Sequence, residues 1–505
     1  MKRLCALALM MLCLVLAVLP QACRKEIEDD RPAGKIISVK GVEPAYSLGL
    51  HEYLEISPLI EFSSEGRGVQ YEWNINNKVV GREKSLKFKC SNAGNFGCYF
   101  KVSTPEGARI VQFKIYVKTA YNKGLLLLSD VDGETVLSFK RLDRMDSKPA
   151  LYAFRDNNPK SSLGRIPLSV CWTGEGITNP RNIEDSGGLD VIISSSEPSK
   201  VYVLGADDFK IKNEIVYDGA GEFHPDKIIS PYGWQNFAWV ASSDKVLFFI
   251  GGGKEYLMNG QKNFLVPGEK RRIRDDVAIA DFSCNLISRT TDFIKVYYDL
   301  IYKRMVYACY IGNTLYGKYG CDIDEPMNIL SCDGEYTTAE RYEPHNVLLV
   351  GRTGGSVKVM HFSPSSNKQT EALLKKIDAT GHIGANSATG VNPVRPFLYY
   401  SDEKGNIYSL NYYSGLFSDN PYISLGENYI VRSIIFNPYD PDTMYVAAED
   451  RNEQSSLRAA IFVYDVKKSS SGVKMFEGKN AGGKVRQLIY KGNGREYFER
   501  INYQI

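Results

Sequence analysis

Six segments of this chain repeat one unit: an apolar strand, a polar turn, and a second strand rich in tyrosine and valine. They cover residues 191–204, 237–250, 294–310, 347–362, 397–410 and 434–446, with residues 488–498 as a closing strand pair. Their starts lie roughly 40 to 60 residues apart, the length of one four-stranded propeller blade. A strand pair that cannot bury its apolar face alone must stack on a copy of itself, and a ring of copies leaves no long edge exposed. The spacing predicts a propeller of about seven blades over residues 119–505, with six or eight also compatible and a large two-sheet sandwich as the alternative. Closure by the last strand would pair residues 484–498 with strands near Gly124.

Composition agrees with an all-β chain. Aromatic residues make up 12%, with 33 tyrosines, and 44 glycines suit short strands joined by turns. Only Thr370–Ile377 carries enough strong helix formers to predict a helix. At 505 residues the chain exceeds what one hydrophobic core serves, so two or more domains are expected. A net charge of +3 is too near neutral to point to nucleic acid.

The N-terminus reads as a secretory signal. Lys2-Arg3 precede an apolar run from Leu4 to Leu19, which leads into Pro20-Gln21-Ala22-Cys23. A bilayer span needs about 20 apolar residues, so a cleaved signal is favoured over a retained transmembrane helix. The segment resembles bacterial lipoprotein signals, which place uncharged residues before an acceptor cysteine, although Pro20 and Gln21 depart from the usual pattern. That resemblance implies cleavage after residue 22, acylation of Cys23 by chains such as palmitate, and lipid attachment to the outer membrane. Buried acyl chains contribute about 0.8 kcal/mol per CH₂. Residues 23–33 are charged and acid-rich, a solvated tether that also resembles the surface-export signal of Bacteroidetes lipoproteins.

Residues 34–118 alternate with period two. Val69, Tyr71, Trp73 and Ile75 share one face, as do Leu86, Phe88 and Cys90, and then Cys98, Phe100 and Val102. Turn residues separate these runs, which predicts an immunoglobulin-like β-sandwich. The stretches Tyr71-Glu72-Trp73-Asn74-Ile75, Gly94-Asn95-Phe96-Gly97-Cys98-Tyr99-Phe100 and Ile115-Tyr116-Val117 resemble a polycystic-kidney-disease (PKD) domain. Phe96 stands where tyrosine is usual, and Asn74 to Asn77 replace the aspartate-rich turn. Trp73 is expected in the core. The module runs directly into Gly124-Leu125-Leu126-Leu127-Leu128-Ser129-Asp130, and this juncture resembles the PKD-like lipoproteins of Bacteroidetes, which carry a propeller-like region behind the module. Within that region, residues 397–408 resemble the inner strand pair of tyrosine-rich propellers, and residues 437–447 the strand-linking turn of sialidase-type blades.

Catalytic signals are sparse. No Gly-x-Ser-x-Gly elbow and no phosphate loop occurs, Gly251-Gly252-Gly253 reads as a turn, and scattered arginines such as Arg341, Arg352, Arg395 and Arg432 form no spaced triad. Asp130, Asp132 and Gly133 echo a calcium loop without its other ligands, so a hairpin turn is favoured. The cysteines have no Cys-x-x-Cys spacing and the five histidines are scattered, so neither a metal site nor a cofactor is expected. Cys90 and Cys98, on adjacent apolar strand phases, are either a disulfide or two packed core thiols, and Cys321 with Cys332 is a weaker pair. The basic run Lys270–Arg274 is broken by Asp275-Asp276 and reads as a solvated face. Loop aromatics remain as ligand platforms: Trp172, Tyr232 and Trp234, with plugs between blades as the plainer reading.

Three function classes follow. The family resemblance implies a non-catalytic accessory subunit of a SusC/SusD-type importer, in which a TonB-dependent channel is capped by a substrate-binding lipoprotein and takes up peptide or oligosaccharide. An independent glycan-binding protein or adhesin, and a propeller hydrolase, are the alternatives.

Overall fold

A computed structural model of the chain describes residues 34–492 apart from 50–51, 65–66, 91–93, 119, 175–188, 216–223, 230–236, 242–246, 252–256, 260–278, 287–292, 300–303, 312–313, 323–327, 336–345, 364–371, 438–439 and 469. The chain divides into two compact units between Thr119 and Ala120.

The first unit holds strands β1 (Ile36–Lys40), β2 (Ala45–Gly49), β3 (Tyr53–Ile56), β4 (Leu59–Phe62), β5 (Gln70–Ile75), β6 (Lys78–Gly81), β7 (Leu86–Lys89), β8 (Gly94–Thr104) and β9 (Gly107–Lys118). One five-stranded sheet runs β2-β9-β8-β5-β6, with β2 parallel to β9. Facing it, β1 pairs with β4 and β3 with β7. Pro58, which has no N–H to give, separates β3 from β4, so the two strands take different partners. Leu54, Ile56 and Leu86 from the facing pairs share one core with Trp73, Phe100, Val102, Phe113 and Ile115 of the large sheet, which makes the unit a two-layered sandwich. Trp73 is fully buried and stacks on Phe100 at 4.1 Å. Its indole N–H donates to the Glu83 carbonyl at 2.9 Å. The β5–β6 hairpin turns on Asn76 and Asn77, both left-handed at φ 49° and 62°, as a two-residue turn between right-twisted strands requires.

In the second unit the strands form seven successive sheets among the described residues. β10 (Gly124–Val131) and β11 (Glu134–Arg141) open the first, and the short helix α1 (Ala153–Asn157) follows. The next sheets are β12 (Ile166–Trp172), β13 (Asp190–Ser196), β14 (Lys200–Gly205) and β15 (Ile211–Ile215), then β16 (Lys227–Ile229), β17 (Phe237–Ala241), β18 (Leu247–Gly251) and β19 (Leu257–Asn259). After them come β20 (Ile279–Leu286), β21 (Phe293–Asp299), β22 (Arg304–Ile311) and β23 (Thr314–Asp322), then β24 (Asn328–Glu335), β25 (Asn346–Thr353), β26 (Ser356–Ser363) and β27 (Ala372–Asp378). Two more complete the series: β28 (Thr389–Val391), β29 (Phe397–Ser401), β30 (Asn406–Asn411), β31 (Leu416–Phe417) and β32 (Ile423–Ser424), then β33 (Tyr429–Asn437), β34 (Asp440–Asp450), β35 (Ala459–Asp465) and β36 (Val473–Gly482). Each is an antiparallel meander. The last strand, β37 (Lys484–Lys491), returns to the first sheet, which reads β11-β10-β37.

Six of the seven successive pairs of leading strands stand side by side among the described residues. β37 lies next to β33 and β12, β12 next to β16, β20 next to β24, β24 next to β28, and β28 next to β33. Sheets that follow one another in sequence and touch through their innermost strands form a β-propeller, closed here by the end of the chain. The expected helix at Thr370–Ile377 is not formed: Ala372–Asp378 is the outer strand β27, paired along β26. Local helix formers lose there to the pairing that a four-stranded blade offers.

The closing strand explains the run of four leucines. β10 lies between β11 and β37, and Leu125, Leu126, Leu127 and Leu128 are all fully buried. Leu126 and Leu128 pack with Val170, Trp172, Val191 and Ile193 of the second sheet. Leu125 and Leu127 pack on the other side with Tyr445, Ala447, Ile461 and Val463 of the last four-stranded sheet. Strand alternation thus fills two inter-blade spaces from one strand. Polar bonds tie β37 to both neighbours. The Gln487 side-chain carbonyl accepts from the Val170 N–H at 2.9 Å, the Arg486 guanidinium donates to the Leu168 carbonyl at 2.8 Å, and the Val485 N–H donates to the Glu449 carboxylate at 2.9 Å. Lys491, nearly buried, donates to the carbonyls of Tyr121 at 2.6 Å and Asn122 at 3.1 Å, clasping the chain just before β10.

Candidate functional site

The sequence-based candidates separate clearly. Trp172 is the last residue of β12 and is 3% exposed, packed in the core between the first and second sheets. This corrects its placement on a loop and removes it as a ligand platform, and it matches the plainer reading of a plug between blades: the ring fills an inter-blade space and has no face to offer a ligand. Tyr232, Trp234, Cys23, Gly252-Gly253 and Lys270–Arg274 lie outside the described residues. Asp130 closes a hairpin: its carboxylate accepts from the Gly133 N–H at 2.8 Å, while Asp132 and Gly133 take φ 53° and 82°. That is turn chemistry.

Cys90 and Cys98 are both buried in the sandwich core as free thiols in this structure. Burial pushes the Cys98 thiol up to about 11, and burial raises Cys90 as well. A thiol with a raised pKa stays protonated near neutral pH and is a poor nucleophile. Neither is therefore expected to react with a thiol reagent in the folded protein, and both are expected to react once it is unfolded in denaturant without reductant. Two thiols missing from the titration of the unfolded chain, recovered after reduction and mapped to Cys90 and Cys98, would instead report a bridge.

Burial strongly perturbs Lys140 and His361 in the propeller, and their geometry assigns both to packing. Burial pulls the Lys140 ammonium down to about 8. Its three N–H donors go to the Arg144 carbonyl at 2.9 Å, the Met145 carbonyl at 3.0 Å and the Ser147 hydroxyl at 3.2 Å, and the charge sits 4.2 Å from the Phe476 ring centre. All three donors are spent, so none is left to aim at a substrate. Burial, aided by Lys375, pulls His361 down to about 4, so its ring is neutral near pH 7, edge-on to Tyr412 at 4.9 Å.

Among the described residues, a concavity lies on the sandwich, on the outward face of its large sheet. A groove of about 440 Å³ is lined by Pro44, Asn74, Asn76, Asn77, Gly97, Tyr99, Gln112 and Lys114, with Cys98 and Phe113 beneath. Strand alternation explains this lining. Along β8 the apolar Phe96, Cys98, Phe100 and Val102 face the core, so Gly97 and Tyr99 face out. Register then sets Asn74 of β5 opposite Tyr99, Tyr99 opposite Gln112 of β9, and Gly97 opposite Lys114. Gly97 is the floor, and a Cβ built there meets no heavy atom within 4 Å.

The tyrosine wall is held in place. Its hydroxyl donates to the Glu72 carboxylate at 2.8 Å, beside Asn74, its register partner on β5, which is 6% exposed. The bond to Glu72 raises the Tyr99 pKa, which keeps the phenol protonated. Among the described residues, the side chains of Asn77, Gln112 and Lys114 have no hydrogen-bond partner. The groove thus combines a fixed ring, two free amides and one free ammonium around an open floor. Sequence reasoning missed it: Gly97 was visible only as part of a strand pattern, and the polar outward phase gains meaning when register brings Asn74, Tyr99 and Gln112 together.

No protein-family model matches the chain, and no curated protein matches it. Among solved structures, it is similar to a quinoprotein alcohol dehydrogenase-like protein from Bacteroides thetaiotaomicron, at 14% identity over 90% of this chain and 99% of that one, with a TM-score of 0.45. A dihydro-heme d1 dehydrogenase is 12% identical over 79% and 74% of the two chains, with a TM-score of 0.37. The WD40 domain of SCAP from fission yeast is 7% identical over 62% and 65%, with a TM-score of 0.35. All three scores fall below 0.5, so the assignment to the propeller class rests on the strand order and the ring of inner strands.

Proposed function

We propose that this chain is a surface lipoprotein: a PKD-type sandwich and a propeller, anchored through acylated Cys23 to the outer membrane, facing the medium, and serving as a non-catalytic accessory subunit of a SusC/SusD-type importer for peptide or oligosaccharide. The observation that carries the reading is the juncture, where the sandwich feeds directly into β10 and the end of the chain closes the ring on that same strand. The strand order β2-β9-β8-β5-β6, with β2 parallel to β9 and a buried tryptophan on a central strand, supports the immunoglobulin-like, PKD-type assignment. A rigid ring whose loops gather on two faces suits docking, and the polar groove on the sandwich suits capture of a small ligand. Affinity purification of the tagged full chain from outer membranes in mild detergent is the test. A TonB-dependent channel and its lid lipoprotein are expected to co-purify. Recovery of the chain without either contradicts the importer role.

A further inference from the structure

We propose that the Gly97 groove is a binding site for a short neutral oligosaccharide. The inference rests on reading the chain as a binding module, and it needs no importer. The chemistry of the lining selects the ligand. The side-chain amides of Asn77 and Gln112 each offer a donor and an acceptor side by side, which matches vicinal hydroxyls, and both are unspent among the described residues. Tyr99 presents a ring whose hydroxyl is already committed to Glu72, so it is fixed as a wall for the C–H face of a sugar ring. The open floor at Gly97 is what admits the ligand: any side chain there would project into the groove. Its volume of about 440 Å³ falls within the range of small-molecule sites.

Peptide is the competing ligand, and the topology disfavours it. The groove lies over β5, β8 and β9, each of which already has a strand on both sides. Beneath Asn74, Gly97 and Tyr99 no free backbone edge is available for strand addition, which is how extended peptides gain most of their affinity on a sheet; only at the rim, at Gln112, does β9 run past its pairing with β2. A single cation, Lys114, is too little for an anionic polymer.

The test is calorimetric titration of the purified full chain with maltotriose, cellotriose, xylotriose, mannotriose and triacetylchitotriose, with Gly-Ser and Ala-Pro peptides as the competing class. At least one sugar is expected to bind. Gly97→Val is expected to abolish that binding with an unchanged melting profile, because its first added carbon enters open space. Gln112→Ala, which reads the same site should the valine disturb folding, is expected to weaken binding about threefold to tenfold, the loss of one neutral hydrogen bond. Lys87→Ala, on β7 of the facing layer and outside the groove, is expected to leave the affinity within about twofold. Binding of no sugar, sugar binding that both Gly97→Val and Gln112→Ala leave unchanged, or peptide binding that Gly97→Val abolishes would each overturn the proposal. Importer capture by the Gly97→Val chain distinguishes the two readings, because a docking subunit with a filled groove still co-purifies.

Discussion

A chain ending at Gly483 is expected to lose the cooperative unfolding transition of its propeller while keeping that of its sandwich. Without β37, the strand β10 becomes an edge, and Leu125 to Leu128 lose part of the cover that makes them fully buried. Burying one leucine-sized side chain contributes about 1.5–3 kcal/mol, and a domain's whole stability is about 5–15 kcal/mol. Removing Leu488 and Tyr490 and uncovering four leucines therefore consumes the whole margin. The polar ties of Val485, Arg486, Gln487 and Lys491 to both neighbouring sheets vanish with them. Calorimetric scans of the truncated and full chains give the readout. Leu488→Ala is the milder form, with an expected loss of about 2–5 kcal/mol. Identical melting of full and truncated chains would mean that the ring is not held by its last strand.

Trp73→Ala is expected to destabilise the sandwich by about 3–5 kcal/mol, the cost of deleting a fully buried large aromatic side chain. The cost combines the cavity with two lost ring contacts, stacking on Phe100 at 4.1 Å and an edge to Phe113 at 6.0 Å. It also orphans the Glu83 carbonyl. Trp73→Phe keeps most of the volume and loses the indole hydrogen bond, with an expected cost of about 1–2 kcal/mol beyond the small volume change. In denaturant, only the transition that includes the sandwich should move, because the core around Trp73 contains no propeller residue. A shift of both transitions by the same amount would show that the two units unfold as one.

What the sequence made legible follows the physics of each element. The β-strand pairs at 191–204, 347–362 and 397–410 are readable because alternating apolar residues flank polar turns, and the structure sets them as β13–β14, β25–β26 and β29–β30. Pairing of the chain's end with the strand at Gly124 was legible from topology, since an open ring would leave an edge exposed; it runs from Asp130 opposite Lys484 to Gly124 opposite Lys491. Thr370–Ile377 was misread because its leucines, lysines and alanine favour a helix locally, and only the neighbouring β26 turns Ala372–Asp378 into a strand. For Trp172 a ligand platform and a plug between blades were both open, because its burial depends on the Leu126 and Leu128 side chains, more than forty positions earlier in the chain. The groove was invisible for the same reason. Asn74, Tyr99 and Gln112 come from three strands, and only register makes them neighbours.

The importer proposal presupposes a closed propeller, and native-state hydrogen exchange tests that closure most directly. Ring closure predicts that the amides of Leu125 to Asp130 and those of Leu488 to Lys491 exchange among the slowest in the propeller and open together, with one shared free energy. Fast exchange of Leu488 to Lys491 beside slow exchange of Val191 to Ser194 in the neighbouring sheet would contradict it, and would leave the propeller open at the strand from which its first sheet is built.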